Sequence, residues 1–181
     1  MKLPLFEFPS FIYQIDDWEF KKKSLLARIN KSEFVRTDLQ HFETDRQTNG
    51  KTYIRYLEEF LEPQLMEFCK EAKVSCSMTD AWCVKYQKGD YQEYHHHGGS
   101  MISVVYFLKV DEDSAKIYFK QPFIDMIEPR YKQFRDDTYQ TVFYTPQPGM
   151  ILIFRSYLEH CVEKHDNDSE RITLSYNFRK K

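Results

Sequence analysis

The spacing of apolar residues divides the chain into a helical first part and a β-rich second part. Residues 17–30 carry apolar side chains among charged ones at helical spacing, and Asp16 or Asp17 could cap the start of this helix. A second helical pattern covers residues 52–73, where Pro63 either kinks the helix or splits it in two. These two segments predict a helical flank that packs onto another element.

Six short runs after residue 79 are rich in Val, Ile, Tyr and Phe, which is typical of β-strands. They are AWCVKY, MISVVYFLKV, AKIYFK, QTVFYT, MILIFR and RITLSYNF. Because no helical pattern separates these runs, they favour an antiparallel sandwich or barrel over a parallel βαβ sheet. We therefore predict one domain over residues 1–181, with a helical flank at residues 1–78 and a β core at residues 79–181.

Residues 121–138 interrupt the series of strands and are long for a hairpin connection. Long loops on β scaffolds commonly cover binding sites. We interpret this segment as a candidate lid or binding loop.

Composition restricts the class of protein. With 181 residues, 41% of them hydrophobic and 17% aromatic, the chain has the length and apolar content of one folded domain. The apolar runs are much shorter than a membrane span, and the first ten residues lack a continuous apolar signal segment, so we expect a cytoplasmic protein without a membrane anchor. The net charge of -2 and the five scattered glycines indicate neither a nucleic-acid partner nor a nucleotide-binding loop.

Three of the six histidines are adjacent, at positions 95, 96 and 97. Since side chains alternate along a strand, His95 and His97 would share one face while His96 points to the other. Two imidazoles on one face supply half of a site for Fe(II), Zn, Cu or Ni. His160, eleven residues after the Pro-Gly turn at Gly149, is the candidate third ligand. An isolated histidine triplet is also typical of a half-exposed polar strand.

The last predicted strand has one apolar and one polar face. Arg171 begins the polar face, and Thr173 follows on the same side. An arginine shielded from water could form a bidentate pair with a carboxylate. The same pattern would also suit an edge strand whose arginine faces solvent.

The order of these motifs along the chain resembles that of the Fe(II)/2-oxoglutarate-dependent dioxygenases, and most closely a small single-domain group of 2OG-Fe(II) oxygenases. The residues that stand in the order of that group's pattern are Trp82, Tyr86, Gly89, Asp90, His95, His97, Ser103, Tyr106, Phe119, Pro122, Gly149, Phe154, His160, Arg171, Thr173 and Asn177. The resemblance covers about residues 82–178, and a weaker match lies in HFETD at residues 41–45.

The resemblance implies a double-stranded β-helix, or jelly roll, and an enzyme that uses Fe(II), 2-oxoglutarate and O2. It assigns three histidines to the iron: His95, His97 and His160. Arg171 with Thr173 would bind the far carboxylate of 2-oxoglutarate, and the phenol of Tyr86 would be a further donor, although Tyr86 also suits a packing role. The family converts 2-oxoglutarate to succinate and CO2 while a substrate is hydroxylated or demethylated.

The pattern departs from the commonest metal triad of the superfamily, which has a carboxylate where His97 stands. An imidazole in place of a carboxylate makes the metal centre more positive by one unit of charge. Three other residues remain alternative ligands: His96, Glu93 and Glu159.

Two other classes of protein fit part of the sequence. A cupin would also carry Gly89, His95 and His97, but it needs a glutamate near residues 100–102 and a final histidine much closer to the Pro-Gly turn than His160. A non-catalytic β-sandwich binding module would retain the histidines without metal or 2-oxoglutarate. The primary substrate is not predicted by any motif.

Overall fold

The computed structural model describes residues 10–36, 49–55, 57–122 and 140–181. The weak match at residues 41–45 and most of the candidate lid at residues 121–138 lie outside the described residues. In the part of the chain that is described, no helix is long and apolar enough to cross a membrane.

Two antiparallel sheets form most of the described structure. The larger has seven strands in the order β1-β9-β6-β11-β4-β3-β2, and the smaller has four in the order β5-β10-β7-β8. Their bounds are β1 Phe11–Gln14, β2 Val35–Arg36, β3 Gly50–Ile54, β4 Cys76–Tyr86, β5 Gln92–His95, β6 Ile102–Lys109, β7 Ile117–Lys120, β8 Thr141–Tyr144, β9 Met150–Arg155, β10 His160–Val162 and β11 Arg171–Lys180. This arrangement confirms the predicted antiparallel β architecture, and all six predicted runs are strands.

Two helices pack against the larger sheet. Helix α1 covers Trp18–Ile29, as the apolar spacing predicts, and it buries Leu25 and Ile29. Asp17 precedes the helix, but its side chain makes no capping hydrogen bond. Helix α2 covers Glu62–Glu71 and follows a short 3-10 turn.

The prediction of a helix over residues 52–73 is wrong in its first part. Residues 50–54 form β3, which pairs with β4 along its length. The helix begins only at Glu62, and Pro63 lies in its first turn, where a missing backbone N–H costs nothing because that turn has no partner for it. Pro63 therefore neither kinks nor splits a helix.

Strand β11 separates the hydrophobic core from the space between the sheets. Its apolar residues, from Ile172 to Phe178, join the core that includes residues from both helices. Its polar residues face a cavity between the sheets, beginning with Arg171. Because β11 lies centrally between β4 and β6, the interpretation of Arg171 as a solvent-facing edge residue is wrong.

Candidate metal centre

A cavity of about 280 Å³ lies between the two sheets and is lined from both sides. The smaller sheet contributes His95 from its edge strand β5 and His160 from the neighbouring strand β10. The larger sheet contributes the polar face of β11 and the facing side chains of β4. The candidate metal ligands and the candidate 2-oxoglutarate-binding residues therefore line one cavity.

Three histidines converge in this cavity. His95 ends β5 and His160 begins β10, and the two are direct partners in the antiparallel register. His97 follows two residues after β5. Its ring centroid lies 5.1 Å from that of His95 and 5.1 Å from that of His160, while the His95 and His160 centroids are 4.3 Å apart. One nitrogen from each of the three lies within 4.8 Å of the others, which suits a single first-row metal ion.

Backbone carbonyls fix the tautomer of two of these histidines. His95 Nδ1 lies 2.8 Å from the carbonyl oxygen of Glu93, and His160 Nδ1 lies 2.8 Å from that of Leu158. Because a carbonyl oxygen can only accept, Nδ1 carries the proton in both rings, and Nε2 is the nitrogen that can bind a metal. Carbonyl partners of this kind orient metal-binding histidines in proteins.

The third histidine contacts the larger sheet. His97 Nδ1 lies 3.3 Å from Asn177 Nδ2, and the Asn177 amide oxygen accepts a hydrogen bond of 2.8 Å from the Ser103 hydroxyl. The His97 ring also packs 5.5 Å from the ring of Trp82. His97 thus contacts β11 through Asn177 and β4 through Trp82, while Ser103 of β6 orients the Asn177 amide.

Burial keeps His97 and His160 neutral. It lowers the pKa of His97 to about 3, and the charges of His95, Lys51 and His96 act in the same direction. Burial also lowers the pKa of His160 well below its ordinary value, with a smaller effect in the same direction from His95. Neutral imidazole is the form that binds metal.

The alternative ligands do not join this cluster. His96 also lines the cavity, but it is exposed and lies beyond the end of β5. Glu159 pairs with Lys120 at 3.5 Å, with 43% of its side chain exposed. Within the described residues, the group that could hold a metal contains neither Glu159 nor Glu93.

Arg171 lies in a buried part of the same cavity. It is 1% exposed, and its Nε donates a hydrogen bond of 3.2 Å to the carbonyl oxygen of Ala115. Its guanidinium lies 4.7 Å from the ring centroid of Tyr86 and 5.5 Å from that of Phe107. Burial lowers the pKa of Arg171. Among the ion pairs found in the described residues, none supplies this guanidinium with a carboxylate.

Polar groups beside Arg171 line the same part of the cavity. Thr173 is 3% exposed, and burial raises the pKa of Tyr86 to about 12, so its phenol stays protonated and can donate. Gln92 is also buried and lines the cavity, and its Oε1 accepts a hydrogen bond of 3.3 Å from Asn49. The sequence reasoning missed Gln92, because a lone glutamine before a histidine run carries no motif.

A fourth histidine supports the position of Arg171. His165 is fully buried, its Nδ1 accepts a hydrogen bond of 3.3 Å from the Ala115 N–H, and its Nε2 donates one of 2.6 Å to the carbonyl oxygen of Ser169. Since the Ala115 carbonyl accepts from Arg171, the same peptide segment joins His165 to the guanidinium. No sequence pattern marked His165.

A family model described as "Putative 2OG-Fe(II) oxygenase" matches residues 80–177, which is more than half of the chain. The chain belongs to this family. It is therefore a 2-oxoglutarate- and Fe(II)-dependent dioxygenase, as the order of motifs predicts. The match decides against the cupin and against the non-catalytic binding module.

Solved structures of other oxygenases share the fold of this oxygenase. A prolyl-4-hydroxylase from Pseudomonas putida has a TM-score of 0.62 at 15% identity, with 96% of this chain and 94% of that chain covered. A viral collagen prolyl hydroxylase from Paramecium Bursaria Chlorella virus-1 has a TM-score of 0.62 at 14% identity, with 93% and 95% covered. The epimerase SnoN from nogalamycin biosynthesis has a TM-score of 0.70 at 12% identity, with 95% and 76% covered. These likenesses confirm the predicted jelly roll. A search of curated proteins finds no significant match.

Proposed function

We propose that this oxygenase binds Fe(II) and 2-oxoglutarate in the cavity between its sheets and oxidises a C–H group of a primary substrate, by hydroxylation or demethylation. The iron ligands in this proposal are His95, His97 and His160. Arg171 binds the far carboxylate of 2-oxoglutarate, and Thr173 and Tyr86 donate further hydrogen bonds to it.

One observation carries the proposal. Three imidazoles meet in one cavity, and a buried guanidinium without a carboxylate partner among the described residues lines that same cavity. A buried cation is costly unless it is paired, so Arg171 favours an anionic ligand. A metal site and an anion site in one cavity fit a co-substrate that combines a carboxylate with a metal-binding group.

The protein's own residues supply binding, orientation and exclusion of water. The lone pairs of His95 and His160 are aimed by their carbonyl partners, and His97 is held by Asn177. Apolar side chains of Trp82 and Val162 wall the cavity and shield its charges from water. Bound iron with 2-oxoglutarate supplies the oxidation of the substrate by O2, with succinate and CO2 as the other products.

The neighbours in the fold do not choose a substrate for this chain. They are two prolyl hydroxylases and an epimerase, so their names do not agree on one reaction. We therefore propose only a reaction class on the basis of these comparisons.

The experiment measures metal binding, 2-oxoglutarate binding and succinate formation for two variants. We expect His160→Ala to lose metal binding while the circular dichroism spectrum is retained. We expect Arg171→Ala to bind metal normally but to weaken 2-oxoglutarate binding by about 2 to 4 kcal/mol, roughly 30- to 700-fold, because a buried charge-assisted pair is lost.

Arg179→Ala is the matched control, because Arg179 lies on the same strand β11 but is exposed. It should leave all three measurements unchanged. Full metal affinity in His160→Ala would remove His160 from the site, and unchanged 2-oxoglutarate affinity in Arg171→Ala would mean that another cation binds the co-substrate.

A further inference from the structure

The cavity extends beyond the histidines along strands β3 and β4. The antiparallel register places Lys51 opposite Val84 and Tyr53 opposite Trp82. Val84 and Trp82 are on the face of β4 that lines the cavity, so strand alternation puts Lys51 and Tyr53 on that face too. Strand β3 thereby adds a cationic and an aromatic side chain to the cavity wall.

The ammonium of Lys51 lies against the aromatic part of this wall. Its Nζ is 4.6 Å from the ring centroid of Trp82 and 4.9 Å from that of Tyr53. The ring of His97 packs against the same indole, with 5.5 Å between centroids. Lys51 and the candidate metal centre are therefore neighbours of one tryptophan, and a group bound by Lys51 would lie beside the reacting centre.

The ammonium retains capacity for an anionic partner. Aromatic rings attract a cation through their faces, but the three N–H groups of an ammonium are best satisfied by oxygen acceptors. Among the ion pairs found in the described residues, none includes Lys51. Asp80 lines the same opening from β4, but it is exposed and is not within ion-pair distance of Lys51.

We propose that Lys51, together with Tyr53 and Trp82, forms the subsite for an anionic group of the primary substrate. The oxygenase would then act on a molecule that carries a carboxylate or a phosphate group near the carbon that is oxidised. This inference rests on the proposed function, because Arg171 is there assigned to 2-oxoglutarate. Lys51 is only half-buried and can be reached by a substrate from solvent, whereas Arg171 is fully buried.

The test compares small probes that share a benzyl skeleton and differ in charge. The protein is loaded with Zn²⁺ and saturating 2-oxoglutarate, and the binding of phenylacetate, benzylphosphonate and neutral phenylacetamide is measured by ligand-observed NMR. We expect at least one anionic probe to bind about three- to fivefold more tightly than the amide, since the lysine is partly exposed to solvent. A preference for phenylacetate would indicate a carboxylate substrate, and a preference for benzylphosphonate a phosphate one.

Two variants test whether Lys51 causes the preference for anionic probes. Lys51→Met should remove it, because the side chain keeps its length and loses its charge. Lys22→Met is the matched control: Lys22 also lies over a tryptophan, 4.5 Å from the ring of Trp18, but it does not line the cavity, so the preference should remain. Asp80→Asn should strengthen anion binding by removing a like charge.

The outcomes separate this inference from the proposed function. Equal binding of all three probes to the wild type, or a preference that survives in Lys51→Met, would overturn the anion subsite while 2-oxoglutarate still binds. Loss of 2-oxoglutarate binding in Lys51→Met would make Lys51 a co-substrate residue and overturn the subsite as well. Failure of the wild type to bind 2-oxoglutarate would overturn the proposed function on which both depend.

Discussion

Single hydrogen bonds determine the position of the charged side chain in the cavity. His165 illustrates this, because hydrogen bonds link it to the guanidinium through Ala115. It accepts from the Ala115 N–H, and the Ala115 carbonyl accepts from Arg171. Moving this peptide would change the position of the buried cation.

The two ring nitrogens of His165 can be replaced separately. In His165→Asn the amide oxygen takes the place of Nδ1 and can still accept from Ala115, while in His165→Gln the amide nitrogen takes the place of Nε2 and can still donate to Ser169. We expect His165→Gln to weaken 2-oxoglutarate binding about three- to tenfold, the effect of one lost hydrogen bond, and His165→Asn to retain most of it. Calorimetric titration of the Zn²⁺-loaded protein measures this.

Zinc affinity serves as the control for His165, because the metal centre has its own supports. It should be unchanged in both variants. If the two variants weakened 2-oxoglutarate binding equally, or weakened only thermal stability, His165 would have a general structural role and not a positioning one.

The types of residue in the sequence predicted the candidate ligands, but they did not predict the hydrogen bonds that hold those ligands in place. Histidine and arginine in a characteristic order are visible in the sequence, and the structure brings His95, His97 and His160 together as that order predicts. Supporting contacts such as that of Ala115 with His165 depend on backbone atoms, which every residue has. No composition or spacing could therefore have indicated them.

At the scale of elements, strict alternation was the most reliable signal. Strand β11 alternates between apolar and polar residues, and the structure places one set in the core and the other in the cavity. The helical pattern over residues 52–73 failed because its first residues also fit a strand, and pairing with β4 decides between the two. Strands β1 and β2 are four and two residues long, too short for any periodicity to be recognised.

The turn before β9 joins three elements in a small space. Gly149 has a φ of +78°, and a Cβ there would lie 2.7 Å from Trp18 Cβ and 2.8 Å from Gln14 Nε2. Its carbonyl also accepts from the Ile15 N–H at 3.0 Å. The close approach of β1 and α1 to this turn thus requires a residue without a side chain.

We expect Gly149→Ala to lower the free energy of unfolding by about 2 to 5 kcal/mol, because the left-handed backbone and the steric clash both oppose a side chain. Urea denaturation measures the change.

Gly89→Ala is the control, since Gly89 has a φ of +92° but a Cβ added there would meet no neighbour within 4 Å. Gly89→Ala should lower the free energy of unfolding by about 1 to 2 kcal/mol, because only the left-handed backbone opposes its side chain. Equal costs for the two variants would mean that the contact with Trp18 and Gln14 is relieved without strain.

At the scale of the whole molecule, the candidate site depends on two sheets that meet at the cavity. The smaller sheet carries His95 and His160, and the larger carries Arg171 and Thr173. Periodicity predicts the strands but not their pairing, since partners such as His95 and His160 are far apart along the chain. The order of motifs shared with the family supplied what periodicity could not.

Because the candidate ligand-binding residues are divided between the two sheets, each ligand should stabilise the fold through its own residues. A ligand that binds only the native state adds about 2.7 kcal/mol at one hundred times its dissociation constant, which for a chain of this length raises Tm by roughly 5 to 10 °C. We expect Zn²⁺ to raise Tm of the wild type, and 2-oxoglutarate to raise it further. Arg171→Ala should keep the zinc shift and lose most of the additional one, because its part of the site is on the larger sheet. His160→Ala should lose the zinc shift itself. Scanning calorimetry with and without each ligand measures all of these values, and an undiminished 2-oxoglutarate shift in Arg171→Ala would show that the co-substrate does not connect the two sheets through that arginine.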